Sequence, residues 1–252
     1  MTAESLREGV EDEATQADVA VVDYGLGNLR SVTRGLERAG ANVEITADPE
    51  RFGSADGVVL PGVGAFREGV ENAAPLREEL DAVAESSTPL FGVCLGMQML
   101  LTESEEADRE GQGDARGLDL IPGRNVRFGA DRTVPHMGWN ELTVEREHPL
   151  VEGVDGVAPE GRREDGVAPE GRREDGAARG GSVDGDYAYF VHSYYAVPDD
   201  DAAVVATTDY GEPFPSVVAD ESGTVFGTQF HPEKSGETGL TILRNFVDLC
   251  GE

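Results

Sequence analysis

Basic charge is what this chain lacks. Its 252 residues hold 20 Lys and Arg against 50 Asp and Glu, a formal net charge of −30, and a single residue, Lys234, is lysine. A surface of that sign repels phosphate, which argues against nucleic acid as a partner. A small domain ordinarily carries a net charge of about 2–8 in magnitude. Self-repulsion at −30 opposes compaction unless dissolved salt screens it. The acid is spread along the whole chain, so the composition points to a cytoplasm holding molar salt, as in a halophile, ahead of a basic docking partner. Cysteine is scarce too. Cys94 and Cys250 are far apart and lack metal-ligand spacing, so a reduced, cytoplasmic chain is expected, with no metal and no cofactor. No run approaches the roughly 18 apolar residues of a membrane span, so no membrane association is expected. The acidic opening MTAESLREGVEDEATQAD has no apolar core, so residues 1–18 read as a solvated leader and not as a signal peptide.

What is present first is alternation of strand and helix. ADVAVVDY reads as a short buried strand, NVEIT as a second strand, GVVLPGVGAF as a third running into a glycine-rich turn and TPLFGV as a fourth. Between the first two, NLRSVTRGLERAG places Leu29, Val32, Leu36 and Ala39 on one helical face, with Gly40 as C-cap. Residues 67–85 and the segment LGMQMLLTES have helical patterning as well. From about residue 118 the chain turns β-rich, with YAYFVHSYYAV, AVVATTDY and a hairpin in PSVVADESGTVFGTQF. The end, TGLTILRNFVDLC, is helical through Leu240, Leu243, Phe246, Val247 and Cys250. This order predicts one α/β domain over residues 19–252, with a mixed, mostly parallel central sheet flanked by helices and a β-rich second half.

One stretch breaks the pattern. GVAPEGRRED occurs twice in tandem, at 156–165 and 166–175, between two copies of VDG. Each copy offers only Val and Ala for burial, and two copies are too few for a solenoid. Residues 154–184 therefore read as an inserted surface loop.

The chemistry concentrates at FGVCLGMQML. A strand that turns sharply into a helix can hold its first side chain out at the top of a sheet, and flanking glycines relieve the crowding there. Gly92 and Gly96 fit that role around Cys94. The helix behind it favours a thiolate, and the N–H of Leu95 points where an oxyanion would form. Alone, such a cysteine is as well read as a buried structural thiol. In GTQFHPEKSG, however, His231 ends an apolar strand and Glu233 follows across Pro232. A thiol nucleophile needs a base, and the base an orienting group; Cys94, His231 and Glu233 supply the three roles.

The blocks VVDYGLGNLRSV, LPGVGAF, GVCLGMQMLLTESEE, VPHMGWN, YFVHSYYAV and GTQFHPEKSG run in order from residue 21 to 236. Together they resemble the class I, triad-type glutamine amidotransferases. Within that family, DYGLGN, PGVG, PHMGWN and HPEKSG resemble the glutaminase subunits that supply ammonia for imidazole glycerol phosphate synthesis in histidine biosynthesis. The resemblance implies a Cys94 thioester formed from glutamine, His231 as proton carrier and Glu233 as its orienting acid. It implies an oxyanion hole from Leu95 and the Val63–Gly64 segment, and substrate contacts from Gln98, Glu106, Ser193 and Tyr194. It further implies a heterodimer with a (β/α)₈-barrel cyclase that receives the ammonia, met by Asn28, Trp139, Tyr189 and Lys234. Two alternatives remain. A glutaminase for another ammonia-channelling synthase is opposed by PHMGWN and DYGLGN, and a silent binding module of this fold is opposed by the intact Cys–His–Glu set.

Overall fold

The computed structural model describes residues 16–109, 115–154 and 186–251. The tandem repeat and most of the acidic leader lie outside the described residues. Along the chain, β1 (Asp18–Val22), α1 (Leu29–Ala39), β2 (Asn42–Thr46), α2 (Pro49–Phe52) and β3 (Gly57–Gly62) come first. Next come α3 (Phe66–Ala73), α4 (Arg77–Ala84), β4 (Leu90–Cys94), α5 (Leu95–Leu100), β5 (Leu101–Ser104) and α6 (Glu105–Arg109). The second half holds β6 (Ile121–Arg127), β7 (His136–Glu141), β8 (Thr143–Val144), β9 (Tyr187–His192) and β10 (Tyr194–Pro198). It closes with β11 (Val204–Asp209), β12 (Pro213–Ala219), β13 (Val225–Thr228) and α7 (Gly236–Cys250).

Eight strands form the main sheet in the order β2-β1-β3-β4-β13-β12-β11-β8. The pairings from β2 to β13 are parallel and those from β13 to β8 antiparallel, as the mixed sheet expected from the sequence requires. Both faces of the inner parallel strands β1, β3, β4 and β13 are covered, so these strands are buried on both sides, while the edge strand β2 is largely exposed. Along β1, Val19 and Val21 enter one core cluster with Leu36, Phe91 and Phe246, while Ala20 and Val22 enter the other with Phe66, Leu80 and Met97. The α1 face carries buried Val32 and Leu36, and Gly40 closes the helix in the left-handed region at φ 110°. A three-stranded sheet β10-β6-β5 and a two-stranded ribbon β7-β9 stand beside the main sheet.

Two expectations are corrected and one β-rich run is resolved. The helix over LGMQMLLTES stops at Leu100, and Leu101–Ser104 is a strand because its backbone pairs in parallel with β6. The helix over 67–85 is two helices, split by a 3₁₀ turn at Ala74–Leu76. Pro75, which lacks an N–H, sits in that turn. The run YAYFVHSYYAV is two strands in two different sheets, divided at Ser193.

Candidate active site

The site forms where the C-terminal ends of the parallel strands meet the β7-β9 ribbon. β4 passes into α5 without a loop, and Cys94 is the hinge. Its backbone sits at φ 54°, ψ −107°, a region that a non-glycine residue enters only under strain from its surroundings. That strain is imposed by close packing of α5 on β3. A Cβ at position 96 would lie 1.8 Å from the carbonyl oxygen of Leu60. Cys94 is therefore a strained elbow at a strand-to-helix turn, as the glycine-flanked motif predicts.

His231 follows β13, and its N–H donates to Tyr189 O of β9 at 3.0 Å. Pro232 opens a 3₁₀ turn, Pro232–Lys234, that swings Glu233 under the ring. The ring Nδ1 lies 3.1 Å from Glu233 Oε1, and both side chains are almost fully buried. The ring and the Cys94 side chain line the same cavity. Burial opposes charge on this imidazole, but its interactions with Cys94 and Glu233 outweigh that and push His231 up to about 9. Ser235, also buried, fastens the turn: its hydroxyl donates to His231 O at 2.6 Å and accepts from the N–H of Tyr189 at 3.0 Å.

A cavity of 310 Å³ opens over the sulfur. Cys94, Leu95 and His231 line it with Val63 and Gly64, which follow β3 directly. Gln98, Glu106, Ser193 and Tyr194 complete the wall together with Lys234. Glu233 stands behind His231, away from the cavity lining. Gln98 commits both amide protons, to Tyr194 O at 2.8 Å and Gln229 Oε1 at 3.0 Å, so its oxygen is what remains to meet a ligand. Glu106 Oε2 accepts the N–H of Phe66 at 2.8 Å and so caps α3 immediately beyond Gly64.

Trp139 and Tyr189 are cross-strand partners on the β7-β9 ribbon, with ring centroids 5.7 Å apart. They lie outside the cavity. Trp139 is 49% exposed, and Met137, on the same face of β7, 63%. Asn28 precedes α1, and its side chain makes no capping bond. The helix α1 packs on the turn that holds Glu233 and Lys234.

Sequence reasoning missed two neighbours of the sulfur. Gln229 is fully buried and points Nε2 at Cys94 Sγ from 3.9 Å. The Tyr24 hydroxyl, buried, donates to Pro61 O at 2.7 Å and pins the end of β3 just before Val63. Both stood inside quoted blocks, GTQFHPEKSG and VVDYGLGNLRSV, yet no spacing rule marks either.

A strained cysteine sharing a cavity with a histidine–glutamate pair at the end of a parallel sheet is an arrangement suited to thiol-dependent acyl transfer. The match of residues 20–250 to the Glutamine amidotransferase class-I profile agrees, and the chain belongs to that family. Among curated relatives, it is 70% identical over 236 residues to the "Imidazole glycerol phosphate synthase subunit HisH" of Haloarcula marismortui, covering 94% of this chain and 97% of that one. It is 65% identical to the protein of that name from Natronomonas pharaonis, covering 94% and 96%. Among solved structures, PurLQS from Thermotoga maritima matches with a TM-score of 0.66 at 19% identity, over 92% of this chain and 98% of that chain. That last likeness concerns the fold.

Proposed function

We propose that this chain is the glutaminase subunit of an imidazole glycerol phosphate synthase of histidine biosynthesis. It hydrolyses glutamine to glutamate and ammonia through a Cys94 thioester and hands the ammonia to a (β/α)₈-barrel cyclase in the cytoplasm. The observation that carries this reading is the strained Cys94 in one cavity of 310 Å³ with His231, whose ring is held by Glu233.

The steps follow from the side chains. Cys94 Sγ, its proton transferred to His231, attacks the carboxamide carbon of glutamine. The oxyanion is met by the N–H of Leu95 and by the Val63–Gly64 segment, two residues after Pro61, whose carbonyl Tyr24 holds. His231 returns the proton to the leaving nitrogen, ammonia departs, and a water deprotonated by His231 cleaves the thioester to glutamate. Glu233 keeps Nδ1 protonated, so that Nε2 faces the sulfur throughout. Glu106 supplies a carboxylate for the substrate's ammonium group, and Gln98 an acceptor. Ser193 and Tyr194 offer backbone groups to the amino-acid end.

The cyclase reading is supported by the surface next to the site. Trp139 and Met137 are exposed apolar side chains, and Val63 is 39% exposed at the cavity edge. Asn28, Tyr189 and Lys234 complete the docking face. Among the described residues, no helix is long and apolar enough to cross a membrane.

Cys94→Ala tests the whole. In a complex with a barrel cyclase, glutamine-dependent synthesis should fall to background while ammonia-dependent synthesis persists. Glutamine-dependent turnover surviving the substitution would overturn the assignment of the nucleophile.

A further inference from the structure

Three buried side chains in the quoted blocks have no part in the mechanism: His136 in VPHMGWN, His192 in YFVHSYYAV and Gln229 in GTQFHPEKSG. They are joined. His136 and His192 sit opposite each other in the β7-β9 register, with His136 Nδ1 2.9 Å from His192 Nε2. His192 Nδ1 lies 2.9 Å from Tyr194 O. A carbonyl oxygen only accepts, so His192 carries a proton on Nδ1 and donates it there. The same carbonyl accepts from Gln98 Nε2; Gln98 also donates to Gln229 Oε1; and Gln229 Nε2 donates toward Cys94 Sγ.

From these contacts we infer that Gln229 orients the Cys94 sulfur through its side-chain amide, and that Gln98 and the His136–His192 pair are positioning residues that fix that amide. The inference rests on the reading of Cys94 as nucleophile. An amide has two faces related by a flip, and only one presents hydrogen to the sulfur. Gln98 Nε2 can bond only to the oxygen of Gln229, so it selects that face. Gln98 is itself fixed by the Tyr194 carbonyl, which His192 shares. Aromatic rings wall off the outer pair: His136 stacks on Tyr210 at 4.0 Å and on Phe190 at 5.0 Å, and Phe128 and Phe214 lie 5.3 and 5.1 Å from His192. Burial lowers the pKa of both rings. The outer end of the line lies on the strand that carries Trp139 on its opposite face. Nε2 of His136 lies 3.0 Å from Asn140 Oδ1 and donates to it, and the Asn140 amide nitrogen donates to Asp209 O at 3.1 Å.

The test uses the full chain with a barrel cyclase, reading kcat and KM for glutamine, the rate at which iodoacetamide alkylates Cys94 at constant pH, and the thermal midpoint. Gln229→Glu keeps the shape and the bond from Gln98 but replaces the donor at the sulfur with an acceptor. It should lower kcat about tenfold or more and slow alkylation in proportion, with KM within about twofold. Gln229→Met, which fills the space without a polar group, should lower kcat about fivefold. His136→Phe keeps the stacked ring and removes the bond to His192. Alone it should lower kcat about two- to threefold, and in combination with Gln229→Met it should add nothing. Either Gln229 variant that folds with kcat and alkylation within twofold of the parent overturns the orienting role. Losses that multiply in the double variant overturn the link to His136. Cys94→Ala in the same assay separates the two ideas, since activity surviving that change would sink the nucleophile itself.

Discussion

At His231, burial and hydrogen bonding act in opposite senses and hydrogen bonding prevails. The folded-state value rises from the ordinary 6.5 to about 9, so folding favours the protonated ring. The stabilisation this brings is fully present below about pH 6.5 and fades as pH rises through about 9. Glu233 supplies part of it through the 3.1 Å contact at Nδ1. Glu233→Gln should therefore cost on the order of 1–2 kcal/mol near neutrality, and the gap to the parent should close as pH rises through the folded-state value. Urea unfolding of both proteins across that range measures it. A gap constant with pH would mean that Glu233 acts by packing and not by charge. The carboxylate and imidazole were legible in HPE, because a proline between them leaves few ways to arrange the two side chains. Gln229 and Tyr24 were not legible. A buried glutamine or tyrosine next to an apolar run carries no periodic signal, and its value lies in partners far away in sequence, Cys94 and Pro61.

At the level of elements, the β4–α5 junction is held by contact between α5 and β3 with no room for a methyl group. Gly96→Ala would drive a Cβ to 1.8 Å from Leu60 O, and the helix or the strand must shift. A loss of about 3 kcal/mol or more in unfolding free energy is expected, together with loss of glutaminase activity. Gly53→Ala is the control: its backbone is helical at φ −70° and no atom lies within 4 Å of the added carbon, so its effect should stay within about 1 kcal/mol. Thermal or urea unfolding of the pair decides. Such junctions were readable from the sequence, because glycine spacing and strand-to-helix alternation are local. The course of Leu101–Ser104 was not. Leu101 continues the apolar run of α5 and Thr102–Ser104 carry no strand signal of their own; pairing with β6, itself formed by residues 121–127, makes them a strand. YAYFVHSYYAV hides its break for the same reason: inward and outward positions alternate up to His192, and the switch of sheet at Ser193 is set by partners β7 and β6.

Across the whole molecule the net charge of −30 dominates. The screening length falls from about 10 Å at 0.1 M salt to about 3 Å at 1 M, so repulsion between surface carboxylates collapses over that interval. The urea midpoint should rise steadily as KCl is raised through it, and a flat or falling midpoint would remove the case for a salt-adapted surface. The same surface has a practical side at Lys234, which lines the cavity and is the chain's sole lysine. Apart from the terminal amine, a dye or resin that couples to primary amines has one side chain to choose. It would land at the mouth of the thiol pocket, so routine amine coupling becomes a site-directed reporter of pocket occupancy, and an ill-chosen way to immobilise an active enzyme.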